Sequence, residues 1–188
     1  MPRCTTKLPP LVLVATGPRL PMRVRLPEVV ARLRGTDPSV VGWGLVDTGA
    51  TSTCISPRVV AALGLKPVGT VQCGGVAGAA EHRLFRVSFE FEGSQPTIRV
   101  RNAEVVEADI GNQGLDMLIG RDILASAHFS YDGPTGTWTM EIPSPSIAAP
   151  PPNVVSASHG AGHGADRNRA KTARKTQKES RKKNRKRK

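Results

Sequence analysis

Short apolar–polar alternations, punctuated by Gly and Pro, run through most of the chain. Met22-Arg23-Val24-Arg25-Leu26 alternates as a half-buried strand does. Val40 to Val46 is an apolar run that reads as a strand leading straight into Asp47. Thr53-Cys54-Ile55 reads as a short strand. Glu81 to Phe91 reads as a long one, with Phe85, Val87, Phe89 and Phe91 on one face and Arg86, Ser88 and Glu90 on the other. Thr97 to Val106 returns as its neighbour after the Glu92–Gln95 turn. Met117-Leu118-Ile119 is a short buried run, and Phe129–Tyr131 with Thr137–Ile142 makes a closing hairpin. Helical signals are few. Ser56 to Gly64 is the clearest, with a capping Ser56, Pro57 at the first helical position and Gly64 at the stop. Shorter helices fit Glu28–Arg34 and Asp122–Ser126. Many short strands with closely spaced turns predict an all-β closed sheet with one or two short helices.

The apolar pattern ends near residue 142. From Pro143 onward the chain is Pro, Ala, Ser and Gly, then Lys and Arg, with too few apolar residues to offset the entropy of ordering. Residues 143–188 are therefore expected to be disordered. Residues 1–19 are expected to form an N-terminal extension, and 20–142 the folded domain. Residues 167–188 hold 13 Lys/Arg against one acid, Glu179, which equals the whole net charge of +12. The domain that precedes them is balanced, so the high isoelectric point is a property of the tail. Such a run binds phosphate backbones without sequence preference. It lacks aromatic residues for base stacking, and a merely solubilising tail fits it equally well.

Three cysteines, Cys4, Cys54 and Cys73, show neither metal-ligand spacing nor a disulfide framework. They suit a reducing compartment, and the expected location is the cytoplasm. The apolar stretch Leu8–Thr16 contains Pro9-Pro10 and is too short to span a bilayer. No metal, cofactor or membrane association is expected.

The chemistry concentrates where the apolar run 40–46 meets Asp47-Thr48-Gly49-Ala50-Thr51. A carboxylate at the end of a buried strand is costly unless it is paired or used. A second signal, Met117-Leu118-Ile119-Gly120-Arg121-Asp122, follows in the last part of the domain. Together these motifs resemble the retroviral-type (retropepsin-like) aspartic proteases. That family carries one Asp-Thr/Ser-Gly-Ala turn and, later, two apolar residues, a Gly and a short helix.

The resemblance implies a closed acid-protease barrel of the single-lobe retropepsin type and a peptide or protein substrate. Peptide hydrolysis by this route needs two carboxylates about 3 Å apart sharing one proton, because like charges so close cannot both ionise. The chain has one such turn, since Asp37, Asp109 and Asp132 lie in other contexts. The dyad then requires two chains, one Asp47 from each, on a two-fold axis. The resemblance further implies that the Thr48 hydroxyl bonds across the interface and that Gly49 permits close approach of the two turns. Ala50 lets substrate pass, and Ile119, Gly120 and Arg121 support the turn from below. Gly74, Gly75, Val76, Ala77 and Gly78 fall where that family has a flap that closes over substrate. Thr51 departs from the viral pattern, which has an acid there to pair with the Arg of the later motif, so Arg121 needs another partner.

Asp-Thr-Gly alone is a common turn, and the alternative function is a catalytically silent dimer that binds partners, its tail contacting nucleic acid. The 74–78 loop lacks the Lys and helix start that a phosphate site needs. Cys54 and Cys73 read as small buried residues, His82 and His128 as ordinary histidines, and Asp122 as the N-terminal charge of a short helix.

Overall fold

In a computed structural model, described here for residues 1–75, 78–144 and 146–148, eleven strands and four short α-helices follow in order. They are β1 (Arg3–Lys7), α1 (Pro10–Thr16), β2 (Arg19–Arg25), α2 (Glu28–Arg34), β3 (Ser39–Val46), β4 (Cys54–Ile55), α3 (Pro57–Ala62) and β5 (Gly69–Gly75). Then come β6 (Gly78–Phe91), β7 (Ile98–Glu107), β8 (Met117–Ile119), α4 (Arg121–Leu124), β9 (His128–Asp132), β10 (Thr137–Glu141) and β11 (Ser146–Ala148). Val76 and Ala77 of the expected flap, and residues 149–188 with the basic tail, lie outside the described residues.

The hydrogen-bonded order β7-β4-β8-β3-β2-β6 closes on itself, because β6 also pairs antiparallel with β7. The result is a six-stranded barrel of the retropepsin-like type, and the protein is mostly β. The alternation along β6 decides what fills it: Phe85, Val87, Phe89 and Phe91 are all buried. The register shift opposite Val87–Phe89 places the extra residue in β7, where Arg101 and Asn102 are both exposed and Asn102 takes φ 52°, so that Val100 and Ala103 both stay buried. Leu20, Met22 and Val24 from β2, Ile98 and Val100 from β7, and Met117 and Ile119 from β8 complete the core. Each buried aliphatic or aromatic side chain stabilises the fold by about 1.5–3 kcal/mol relative to exposure.

The helices form where their ends are chemically marked. Ser56 caps α3 by accepting a hydrogen bond from the Val59 N–H, Pro57 occupies the first position, and Gly64 follows at φ 55°. α2 stops at Gly35, also left-handed.

Two segments differ from the sequence expectation. Residues 1–19 contribute β1, paired antiparallel along β10, and α1, whose Leu13 is fully buried. β1 is Arg-Cys-Thr-Thr-Lys and buries only Cys4, so it carries no apolar alternation and its order comes from β10. Gly136 seals this corner, since a Cβ there would lie 1.9 Å from the Leu8 carbonyl oxygen. Ser146–Ala148, in the segment whose composition argued for disorder, runs as β11 parallel to residues 99–101 of β7. Its backbone finds partners on an existing strand, which supplies what its side chains do not. Among the described residues no helix is long and apolar enough to cross a membrane.

Candidate active site

β3 and β8 run parallel with Val46 opposite Ile119, so β3 delivers Asp47 beside the start of the Gly120-Arg121 turn. The Asp47 N–H donates to the Ile119 carbonyl at 3.0 Å, which extends the pairing by one residue. The chain then turns: the Ala50 N–H donates to the Asp47 carbonyl at 3.2 Å. Asp47 Oδ1 accepts from the N–H of Gly49 at 2.9 Å and from that of Ala50 at 3.2 Å. This is an Asx-type turn in which the side chain organises the backbone that follows it. Asp47 and Ala50 are half-buried, while Thr48 and Gly49 are exposed. No Lys, Arg or His lies within salt-bridge distance of Asp47 among the described residues.

Beneath the turn, Gly120 is packed against backbone. A Cβ on it would lie 2.5 Å from the Ser52 carbonyl carbon and 2.8 Å from both the Ser52 oxygen and the Thr53 nitrogen. None of those atoms can swing aside as a side-chain tip does, so only Gly fits. Ile119 is fully buried in the core below it.

Two further residues complete this floor, and the sequence reading did not place them there. Asp122, 8% exposed, accepts from the Thr53 N–H at 2.8 Å, from the Thr53 hydroxyl at 2.7 Å and from the Ile123 N–H at 2.9 Å. The Thr53 hydroxyl in turn accepts from the Gly120 N–H at 3.1 Å. Asp122 does stand in the first turn of α4, as a helix-start charge would, but it also ties the chain after the Asp47 turn to α4. The sequence signal for this is slight, because a Thr at the start of a strand and an Asp at the start of a helix each have a local explanation.

Arg121 finds neutral partners. Its backbone N–H and its Nε donate to the Ala50 carbonyl at 3.0 and 3.4 Å, and its guanidinium donates to Thr51 Oγ1 at 2.9 Å. Thr51 therefore supplies the acceptor at this position, without a charge.

The β5–β6 hairpin narrows to a Gly75–Gly78 backbone pair, with Gly74 opposite Ala79. A Cβ on Gly74 would meet nothing within 4 Å. Cys73, on this hairpin, shares a face with buried Val71. Cys54, on β4, is pushed up to about 12, mainly by burial and then by the acidic groups of Cys73, Asp122 and Asp47. A thiol so hard to ionise is a poor nucleophile. His82 Nδ1 contacts the Glu107 carbonyl at 3.1 Å. Among the described residues no three His, Cys, Asp or Glu side chains gather as metal ligands would. A cavity of about 730 Å³ is lined by residues of α2, β2, β6 and β7 and does not include Asp47.

A family model described as "Aspartyl protease" matches residues 29–123, a span that holds both the Asp47 turn and Gly120-Arg121-Asp122. Among solved structures, the chain is similar to the Simian Foamy Virus (mac) protease in solution, with 17% identity and a TM-score of 0.36 over 57% of this chain and 92% of that one. It is also similar to the foamy viral protease-reverse transcriptase in complex with an RNA/DNA hybrid, at 19% identity and a TM-score of 0.35. That match covers 57% of this chain and 11% of the other. No curated protein matches.

Proposed function

The chain belongs to the aspartyl protease family, and from that membership we propose that it is a homodimeric aspartic endopeptidase whose dyad is one Asp47 from each chain. The observation that carries this reading is the anchoring of a single Asp47 oxygen. Oδ1 takes both hydrogen bonds from the turn, at 2.9 and 3.2 Å. The carboxylate is thereby aimed, and Oδ2 remains for a water, a partner carboxyl or a substrate carbonyl.

In the assembled pair, one carboxylate is ionised and takes a proton from the attacking water. The other is protonated and hydrogen-bonds the scissile carbonyl, which gains negative charge as the water adds. Collapse of the tetrahedral species expels the amine, which leaves with a proton from the dyad. The two carboxyls titrate as a unit. Thr48, exposed at the tip of the turn, is available for a bond to the partner chain, and Gly49 keeps the approach clear. Ala50 borders the substrate path, and the glycine-rich segment 74–78 acts as the flap. Ile119, Gly120 and Arg121 hold the turn from below.

The test is cleavage of a peptide library by purified protein, with Asp47→Asn and a hydroxyl-bearing transition-state mimic such as pepstatin as controls. Cleavage that survives the substitution sinks the assignment, and so does a particle that stays monomeric by light scattering while active. The free cysteines favour a reducing, cytoplasmic setting. The 13 Lys/Arg of residues 167–188 support contact with nucleic acid as a separable function. Removing residues 153–188 then weakens binding to single-stranded DNA, with a smaller salt dependence, and leaves cleavage intact. DNA binding through the tail by a full-length protein that cleaves no peptide favours instead a silent dimer that tethers nucleic acid.

A further inference from the structure

Arg121 stands next to the substrate path with an uncompensated charge. Its guanidinium is held against the segment immediately after Asp47-Thr48-Gly49, by the Ala50 carbonyl at 3.4 Å and Thr51 Oγ1 at 2.9 Å. Both acceptors are neutral. Of the five guanidinium N–H groups, these contacts occupy only part of the set. The side chain belongs to an exposed residue. Among the described residues eight arginines lie within 4.0 Å of a carboxylate; Arg121 is not one of them, and unlike Arg19 and Arg34, which also bond only neutral acceptors, it sits beside the Asp47 turn. The two nearest acids in sequence are already engaged: Asp122 is buried on Thr53, and Asp116 is paired with Arg58.

We propose that Arg121 is a specificity-determining residue that selects peptides bearing a carboxylate side chain close to the cleaved bond. The inference rests on the protease reading above. A peptide laid across Asp47 passes beside Ala50 and Thr51, and so within reach of the guanidinium they hold. A planar guanidinium with free N–H groups donates two parallel hydrogen bonds to a carboxylate, whereas Gln offers one acceptor oxygen and no charge, and Lys is repelled. The Thr51 hydroxyl positions the guanidinium without neutralising it, which leaves the charge for the substrate.

The experiment takes a peptide that the full-length protein cleaves and places Glu, Gln or Lys in turn at each position flanking the cut. At one position or more, Glu is expected to raise kcat/KM roughly fivefold over Gln, the upper range for a partly solvated ion pair, and Lys to lower it. The preference shrinks in 1 M salt, where screening acts within about 3 Å. Thr51→Asp puts a carboxylate where the hydroxyl accepts the guanidinium now, and erases the Glu/Gln ratio. Arg121→Gln does the same and is read by that ratio rather than by absolute rate, since it also loosens the turn. Equal cleavage of the Glu, Gln and Lys peptides by the wild type overturns the proposal, as does a preference that survives Thr51→Asp. If the wild type cuts no peptide at all, the protease reading itself fails. The same peptides, labelled and titrated against Asp47→Asn by fluorescence anisotropy, still decide the matter: tighter binding of the Glu peptide supports Arg121, and equal or absent binding overturns it.

Discussion

The two ends of the β3–β8 pair treat the same functional group in opposite ways. At one end Asp116, just before β8, meets the Arg58 guanidinium at 2.7 Å and accepts from the Ser56 hydroxyl at 3.2 Å. Burial alone would raise its pKa. The hydrogen bond and charge of Arg58, with help from Ser56 and the Trp43 backbone, outweigh that and hold it below the usual carboxylate value. At the other end Asp47, just after β3, has backbone N–H donors and no cation within salt-bridge distance among the described residues. The first carboxylate is committed to a partner; the second is aimed but uncommitted. What separates a structural acid from a reactive one here is which neighbours the fold provides, since both residues flank the same two strands.

This contrast predicts a double dissociation in activity and stability. Asp47→Asn is expected to lower peptide cleavage by at least about a thousandfold. It should leave stability within about 0.5 kcal/mol, because an Asn Oδ1 accepts the same two bonds from Gly49 and Ala50. Asp116→Asn should do the reverse, costing about 1–2 kcal/mol while the folded fraction keeps its specific activity. Urea titration alongside a cleavage assay reads both, and parallel losses in the two variants would dissolve the distinction.

Next in size is the floor under Asp47. Gly120→Ala forces a Cβ to within 2.5 Å of the Ser52 backbone. It should cost about 3 kcal/mol, with activity falling further than the folded fraction because the turn itself must shift. A variant with wild-type melting would show that the segment yields more easily than this packing indicates.

The smallest effect sharpens the other end. Asp116 has a depressed folded pKa, so its stabilisation is fully present above the unfolded value of about 3.9 and is lost as pH falls through the folded value. Arg58→Gln, at a guanidinium 57% exposed and therefore screened, should cost about 1 kcal/mol at pH 7. The difference from wild type should narrow as pH falls below about 3.9 and vanish under the depressed folded value. Denaturation at both pH values tests it, and an equal gap at the two would assign Arg58 a packing role instead.

Much of the barrel could be read directly from residue patterns. The period-two alternation of β6 reflects burial, which that strand carries in its own residues; the apolar run of β3 misleads in part, since Val41 and Trp43 are about half exposed. Ser56, Pro57 and Gly64 mark α3 because capping is chemistry within a few residues. Asp47 stood out for the same local reason, a charge placed where a buried strand ends. Other features have no such signature. β1 and β11 are ordered by the strands they join, β10 and β7, and nothing in Arg3–Lys7 or Ser146–Ala148 announces those partners. The bond between Asp122 and Thr53 spans 69 positions, and that between Arg121 and Thr51 spans 70. Patterns and caps act over a few residues and so belong to the sequence alone. Which donor meets which acceptor across those separations exists only once the barrel has closed.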